Sequence, residues 1–422
     1  MNTISWSEQI PVWESYDIIV AGGGVAGVAA ALAAGRRNKR VLLLEKQTAL
    51  GGLATTGLVN FWVPLCNGRG KFIIRGMAEE FLQRSIEYSY DTFPPDWKDG
   101  KEPDHPTLSR CESFFSAGFF ALTLLKMLRD AGVTILYDAL VSVPVMDGKT
   151  CRGLIIDSKS GRRFYEAAMV VDATGDADIL LRAGVPTVDG EDYFTYYGEG
   201  ITLDGCRRAL ETGNLHHAYY HPFGGTANLH GKNHPEGKPC YVGSSLEVVN
   251  QYLQENQLFM LEKEQAKPRM ERNIHMLPGM PQFRTSRRLD GNATLTGEDA
   301  YKHCETSVGA ICDFELRDKL YEVPYGTLIR EGYDNLITCG RSASASGWGW
   351  DVLRVIPPAI LTGQAAGIAA AQAIENGCGL NALPIKPLQD ALAETGVVIH
   401  FDDALVPENE AEVIVAAAKG HI

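Results

Sequence analysis

No uninterrupted apolar run of about 18 residues occurs in this chain of 422 residues, so a transmembrane helix is not expected. The Ala-rich stretch 359–374 is broken by glycines and by Gln364, and reads as a packed core helix. Basic residues are scarce: Lys and Arg number 39 against 52 Asp and Glu, a formal net charge of -13. That balance opposes nucleic-acid partners and an anionic membrane surface. None of the nine cysteines forms Cys-x-x-Cys, and their odd number and wide spacing fit reduced thiols better than a disulfide framework or a metal site. Met1 to Ser15 has neither a basic start nor an apolar core, so no leader is expected and a cytoplasmic location is. There is no internal repeat and no low-complexity segment. The 45% hydrophobic content and the length suit two or three globular domains.

Among these absences stands one strong pattern. Tyr16 to Ala21 is a short β-branched run suited to a buried parallel strand. Gly22, Gly24 and Gly27 follow in G-x-G-x-x-G spacing and open an Ala-rich helix predicted from Val25 to about Arg36. The first glycine permits the tight turn, the second lets backbone approach a pyrophosphate, and the third lets helix pack on strand. A helix N-terminus at Val25 and Ala26 offers free N–H groups to phosphate. Arg40 to Glu45 is the next strand, and Glu45, followed by Lys46, stands where an acid accepts hydrogen bonds from a ribose. Strand, glycines, helix, strand and acid together predict a dinucleotide-binding α/β domain.

The remaining elements organise around that domain. Gly51, Gly52, Leu53, Ala54 and Thr55 form a small, glycine-rich segment suited to lie against a ligand. A helix is predicted over 76–87, an exposed Pro-, Asp- and Gly-rich excursion over 89–107, and another helix over 114–131. A strand at 134–137 precedes a β-meander of strands 141–145, 151–157 and 162–167, and a further strand 168–173 ends in Asp172, Ala173, Thr174, Gly175 and Asp176. Residues 186–324 differ in texture and read as an inserted domain. A strand at 336–340 leads to Arg341, a long helix follows Pro357, and a last helix covers about 387–395. The expected organisation is a Rossmann-like nucleotide-binding domain with a β-meander crossover (15–185, with an excursion at 58–107, and 325–400), an inserted α+β substrate or cap domain (186–324), and a tail (401–422).

Five motifs in order carry a resemblance: the fingerprint with Glu45; Gly51 to Thr55; Asp172 to Asp176; Arg284-Thr285-Ser286-Arg287-Arg288 with Gly291 and Leu295 to Asp299; and the block from Val323 through Gly340-Arg341-Ser342, Arg354-Val355 and Gly363 to Gly367. Together they resemble the FAD-dependent oxidoreductase family of the glutathione-reductase-like superfamily, relatives of the fumarate reductase flavoproteins. The resemblance spans about 15–397. It departs from the family pattern at Arg75 and at Trp348-Gly349-Trp350, both expected near the substrate side.

The resemblance implies FAD as the cofactor, and non-covalent binding is expected. It places the motif residues along FAD, the backbone near Val141 at the adenine, and the helix that begins at Pro357 against the flavin N1–C2=O edge. A helix N-terminus there would stabilise the negative charge of reduction, and Arg354 would add a full charge. The flavin would carry the hydride chemistry and the protein would position it. No second nucleotide fingerprint appears, so a separate NAD(P)H domain is not expected. The expected reaction is hydride transfer between a small, anionic organic substrate and flavin N5, with the electron acceptor and the oligomeric state left open. Arg284 and Arg288, in a cluster with Arg287, are candidates to hold an anion, against the alternative of structural ion pairs. His221 stands out among the crowded His and Tyr residues of 196–221 as a candidate acid or base. Asn60 could bind substrate or flavin, and Cys66 is either a nucleophile, a flavin link or a buried thiol. A redox-neutral or nucleic-acid-modifying flavoprotein of the same superfamily is one alternative, and a non-catalytic flavin-binding protein is another.

Overall fold

The structure is a computed structural model that describes residues 3–407. Its centre is a seven-stranded mixed sheet. Strand β1 (Val12–Ala21) runs parallel to β2 (Val41–Leu44), which runs parallel to β3 (Thr134–Leu136). Helix α1 (Val25–Arg36) is the crossover between β1 and β2. Two further helices, α2 (Met77–Ile86) and α3 (Ala117–Asp130), lie between β2 and β3 in the chain. The meander follows as β4 (Leu140–Asp147), β5 (Thr150–Ser158) and β6 (Gly161–Asp172), paired antiparallel in turn. The fold is the expected α/β class, Rossmann-like with a meander crossover.

Strand β6 differs from expectation. The segments 162–167 and 168–173 are one strand, parallel to β1 from Val12 opposite Phe164 to Ala21 opposite Asp172. Its other edge is shared. The first half pairs with β5, and Val170–Asp172 pair with a late strand, β9, defined below. Where β5 and β9 part, the buried Asn335 side chain stands in for a strand: it donates to the carbonyls of Cys151 (2.6 Å) and Ala168 (3.1 Å) and accepts from Cys151 N–H (2.9 Å). A continuous β6 carries Asp172 to the same end of the sheet as Gly22, which is where open α/β sheets bind ligands.

Helix α3 begins at Ala117, three residues later than predicted, because Ser113–Phe114 pair with Phe61–Trp62. Phe120, Leu124 and Leu128 form its buried face, as the periodicity requires.

The inserted segment contains a small aromatic core of Phe194, Tyr196, Tyr241, Tyr252, Met260 and Phe283, closed on one side by α4 (Leu246–Gln265). Leu295, the hairpin β7 (Ser307–Cys312) and β8 (Leu320–Pro324), and Leu328 contribute instead to the large core. The chain then returns through β9 (Leu336–Thr338), α5 (Trp348–Arg354), α6 (Ile356–Asn376) and α7 (Ile385–Glu394). Of the tail, residues 401–407 are described, and Phe401 is buried; the rest lies outside the described residues.

Helix α6 is buried from Ile356 to Ala373 and packs on α1. Its glycines set the distance. A Cβ on Gly363 would fall 2.1 Å from the Ala26 carbonyl oxygen, and one on Gly367 would fall 2.2 Å from that of Ala30. Gln364, polar within this apolar helix, is satisfied at both ends: it accepts from Met77 N–H at the start of α2 (2.9 Å) and donates to Thr395 Oγ1 (2.6 Å). Among the described residues no single helix is long and apolar enough to cross a membrane.

Gly367→Ala is therefore expected to destabilise the protein by about 1–3 kcal/mol, the usual cost of overpacking. Gly118→Ala, where the added methyl meets nothing within 4 Å, is the control and should be neutral or slightly stabilising. Urea denaturation of the two variants side by side checks both.

Candidate active site

At the end of β1 the chain turns within a very confined space. A Cβ on Gly22 would lie 2.4 Å from the Ala173 carbonyl oxygen, and one on Gly27 would lie 1.9 Å from that of Gly22. Gly24 is the opposite case. A Cβ there meets nothing within 4 Å, so the space above its backbone is open. The first helical hydrogen bond of α1 is Val28 N–H to Gly24 carbonyl (2.9 Å). The N–H groups of Val25, Ala26 and Gly27 thus have no carbonyl within the helix and crown its positive end. Gly51 N–H donates to Gly23 carbonyl (2.8 Å), which lays Gly51 and Gly52 beside this opening. Behind it, Thr55 is buried and its hydroxyl donates to Leu50 carbonyl, Ala54 is buried, and Leu53 is partly exposed. Glu45 is buried, and its carboxylate accepts from Gly23 N–H (2.6 Å) and Gln47 N–H (2.7 Å). Lys46 is exposed.

The Asp172 to Asp176 element lies across from these glycines. Asp172 is fully buried and accepts from Thr174 N–H and Oγ1 with one oxygen and from Ile179 and Leu180 N–H with the other. Burial raises its pKa, and the hydrogen bonds from Thr174 and Leu180 oppose that shift. The Thr174 side chain is thereby committed to the turn, and Ala173 packs against Gly22 and Gly27. The Gly175 carbonyl accepts from Arg341 Nε (2.8 Å), Asp176 accepts from Arg341 Nη2 (2.6 Å), and Arg341 Nη1 donates to the Phe283 carbonyl. The buried Arg341 guanidinium thus ties the main domain to the inserted segment. Gly340 N–H donates to Thr362 Oγ1 (2.9 Å), which fixes the start of α6, where Pro357 and Pro358 occupy the first turn. The Val141 carbonyl, predicted at an adenine, accepts from Arg182 (2.9 Å).

The predicted arginine cluster divides. Arg287 pairs with Asp189 (3.0 Å) and Asp178 (3.4 Å). Arg288 turns to the Leu289 carbonyl and Ser344 Oγ and lies over Trp350. Both are buried and shared with protein groups, so the three arginines do not form one anion site. Arg284 is different. Its guanidinium reaches only the Ala227 carbonyl, at 3.3 Å, and no carboxylate among the described residues bonds it. Burial lowers its pKa, and the neighbouring charge of Arg354 lowers it further. Arg354 ends α5, with Val355 alone between it and the start of α6, and Asp351 accepts from its Nε (2.9 Å) and Nη2 (2.8 Å). Asp192 completes the group. Its carboxylate accepts from the N–H groups of Arg284 (3.0 Å) and Thr285 (3.0 Å), and burial raises its pKa to about 6.

The inserted segment reaches the glycine loop just beside these charges. Tyr197 hydroxyl donates to the Leu58 carbonyl (3.0 Å) and Gln282 Nε2 to the Gly57 carbonyl (2.8 Å). His221 packs edge-on to Tyr197 and stacks on Phe114, with Nδ1 at 3.2 Å from the Gly198 carbonyl. Burial lowers its pKa and favours the neutral ring. Asn60 donates to the Phe115 carbonyl (2.9 Å), while its Oδ1 is buried without a partner among the described residues. Cys66 is buried, with its pKa raised by burial, and accepts from Cys111 N–H. Of the family departures, Arg75 pairs with Glu79 and Glu102, Trp348 donates to Asp313 (2.6 Å), and Trp350 donates to the Arg341 carbonyl (2.9 Å).

The model of the FAD dependent oxidoreductase family matches residues 17–236 and 245–392. The chain belongs to that family. FAD is its cofactor. A local match links it to the NADH:acrylate oxidoreductase of Vibrio harveyi, 43% identical over 69 residues; these are 16% of this chain and 7% of that relative. Two solved structures are similar over nearly all of the chain. A geranylgeranyl bacteriochlorophyll reductase-like protein from Thermoplasma acidophilum is 14% identical, covers 96% of this chain and 98% of its own, and has a TM-score of 0.45. L-proline dehydrogenase from P. horikoshii is 13% identical, covers 92% and 100%, and has a TM-score of 0.40.

In this member of the family, Asp192, Asp351 and Gln282 belong to the site although no motif marks them. Asp192 makes a test. Its folded pKa of about 6 stands above the ordinary 3.8, so between those values the native state binds more protons than the unfolded one. Its contribution to stability is complete below pH of about 4 and is lost as pH rises through about 6, a change of about 3 kcal/mol. Asp192→Asn should remove this segment of the stability–pH profile, read from urea midpoints across that window.

Proposed function

We propose that the protein transfers a hydride between a small organic anion, a carboxylate by preference, and the N5 of its FAD. The observation that carries this reading is Arg284: a partly buried guanidinium without a bonded carboxylate, beside a second arginine at the start of α6. A partly buried guanidinium bonded only to the Ala227 carbonyl keeps N–H donors for a ligand, and a bound anion satisfies them. Arginine forks suit a carboxylate, which they bind through two parallel hydrogen bonds.

The residues fit FAD on this reading. The open space at Gly24, the free N–H groups of Val25, Ala26 and Gly27, and the loop Gly51 to Thr55 would take the diphosphate. Glu45 would take the AMP ribose, its two present N–H partners holding it in place. Bound FAD supplies the two-electron chemistry. The start of α6 and Arg354 would face negative charge, as a helix N-terminus and a cation do best. Asp351 holds the Arg354 fork in one orientation, and Asp192 balances the pair of arginines. Tyr197 and the neutral His221 flank the same opening and are the groups in place to hold or move a proton. Arg288 and Arg287 act in packing the inserted segment.

The absorbance spectrum of the purified protein, before and after acid precipitation, tests the cofactor: flavin released into the supernatant is expected. The reaction is tested by anaerobic mixing of the oxidised or the dithionite-reduced protein with saturated and unsaturated carboxylic acids and their amides. Acids should change the flavin absorbance and amides should not. Arg284→Ala should weaken carboxylate binding about tenfold or more, the worth of a charged hydrogen bond, with the flavin spectrum intact. Equal reaction of acids and amides, with Arg284→Ala unchanged, would refute the proposal.

A further inference from the structure

A second cluster of ionisable groups lies where the C-terminal segment crosses the β7–β8 hairpin. Glu322, on β8, is buried with its side chain 0% exposed, yet no Lys or Arg pairs with it among the described residues. Its partners are two imidazoles. His303 Nδ1 lies 2.6 Å from Oε1 and His400 Nδ1 lies 2.9 Å from Oε2. The N–H groups of Phe401 (3.3 Å) and Cys304 (2.6 Å) complete the carboxylate. One donor atom from each of His303, Glu322 and His400 lies within 4.8 Å of the others.

We propose that His303, Glu322 and His400 bind a divalent metal ion of the zinc type, with Asp403 as the outer partner of His303. The donors are of the right kind, since two imidazoles and a carboxylate form a common zinc set that leaves a position for water. The geometry is close. A tetrahedral ion about 2.0–2.1 Å from each donor needs donors about 3.3 Å apart, so the separations of 2.6 and 2.9 Å to the two carboxylate oxygens must open by about 0.7 and 0.4 Å, within a set whose donor atoms all lie within 4.8 Å of one another. Both imidazoles are close to half exposed, while the carboxylate is buried and held by Cys304 N–H.

The surroundings are also those of a metal site. His303 Nε2 lies 2.9 Å from Asp403 Oδ1, the carboxylate–imidazole arrangement that orients metal-bound histidines. The Phe401 ring stacks on His303 with centroids 4.4 Å apart. Binding replaces the protons now shared between imidazole and carboxylate, and releases them to solvent. The donors come from three separate segments, so the ion would cross-link the chain after α7 to the β7–β8 hairpin. None of them belongs to the group around Arg284, and the inference stands apart from the proposed reaction.

The full-length flavoprotein, stripped with chelator and then dialysed against zinc, should retain about one ion per chain. His400→Ala, at a half-exposed position, and Glu322→Gln should each weaken zinc binding by about tenfold or more, and Asp403→Asn by about tenfold. Thermal melting of each metal-free variant identifies any that fail to fold. Cobalt(II) in place of zinc should give the visible bands of a tetrahedral site without thiolate charge transfer, and the flavin spectrum should not change. Lack of stoichiometric zinc, a thiolate signature, or zinc binding undiminished in folded His400→Ala would overturn the assignment.

Discussion

Contact between two helix backbones is the constraint on which the rest depends. Helix α1 begins the nucleotide loop and α6 closes the sheet near the other end of the chain, and Gly363 and Gly367 bring their backbones together at Ala26 and Ala30. Any larger residue would separate them. Because they touch there, the N-termini of both helices open on the same edge of the sheet, beside Gly22, Asp172 and Gly340. One helix end faces the space over Gly24, and the other begins just after Arg354 and Val355. A cofactor with a diphosphate at its middle and a reducible ring at one end has a use for two such helix ends.

Buried polar groups then do the joining that apolar packing does not specify. Asn335 fills the fork between β5 and β9, Asp172 ties β6 to the turn that follows, Gln364 links α2, α6 and the end of α7, and Arg341 binds the inserted segment to the main domain. Each is satisfied on several sides, the condition under which burial of polar groups is tolerated. Arg284 stands out against them. Its backbone is held by Asp192 while its guanidinium is left with the Ala227 carbonyl alone. Glu322 is the converse, a buried anion met by two imidazoles and two backbone N–H groups and by no Lys or Arg among the described residues.

The main domain and its cofactor region were legible because the signals are local. A strand, three glycines, a helix and an acid lie within 16–45, and each has a role set by neighbours in sequence. The same holds for Thr174, although its side chain serves the turn. The arginine cluster was not legible in this way. Arg287 and Arg288 lie on adjacent positions of a strand, where side chains alternate, so nearness in sequence placed them apart.

The sequence by itself determined the α/β class, the nucleotide-binding loop and the family, since glycine spacing and hydrophobic runs report on backbone geometry close at hand. Only the tertiary structure decided which charges meet. Arg284 finds Arg354 and Asp192, and His303 finds Glu322 and His400, across separations of the chain that no pattern records. The physical reason is that a charge acts through space over a few ångströms, while a motif is read along the chain.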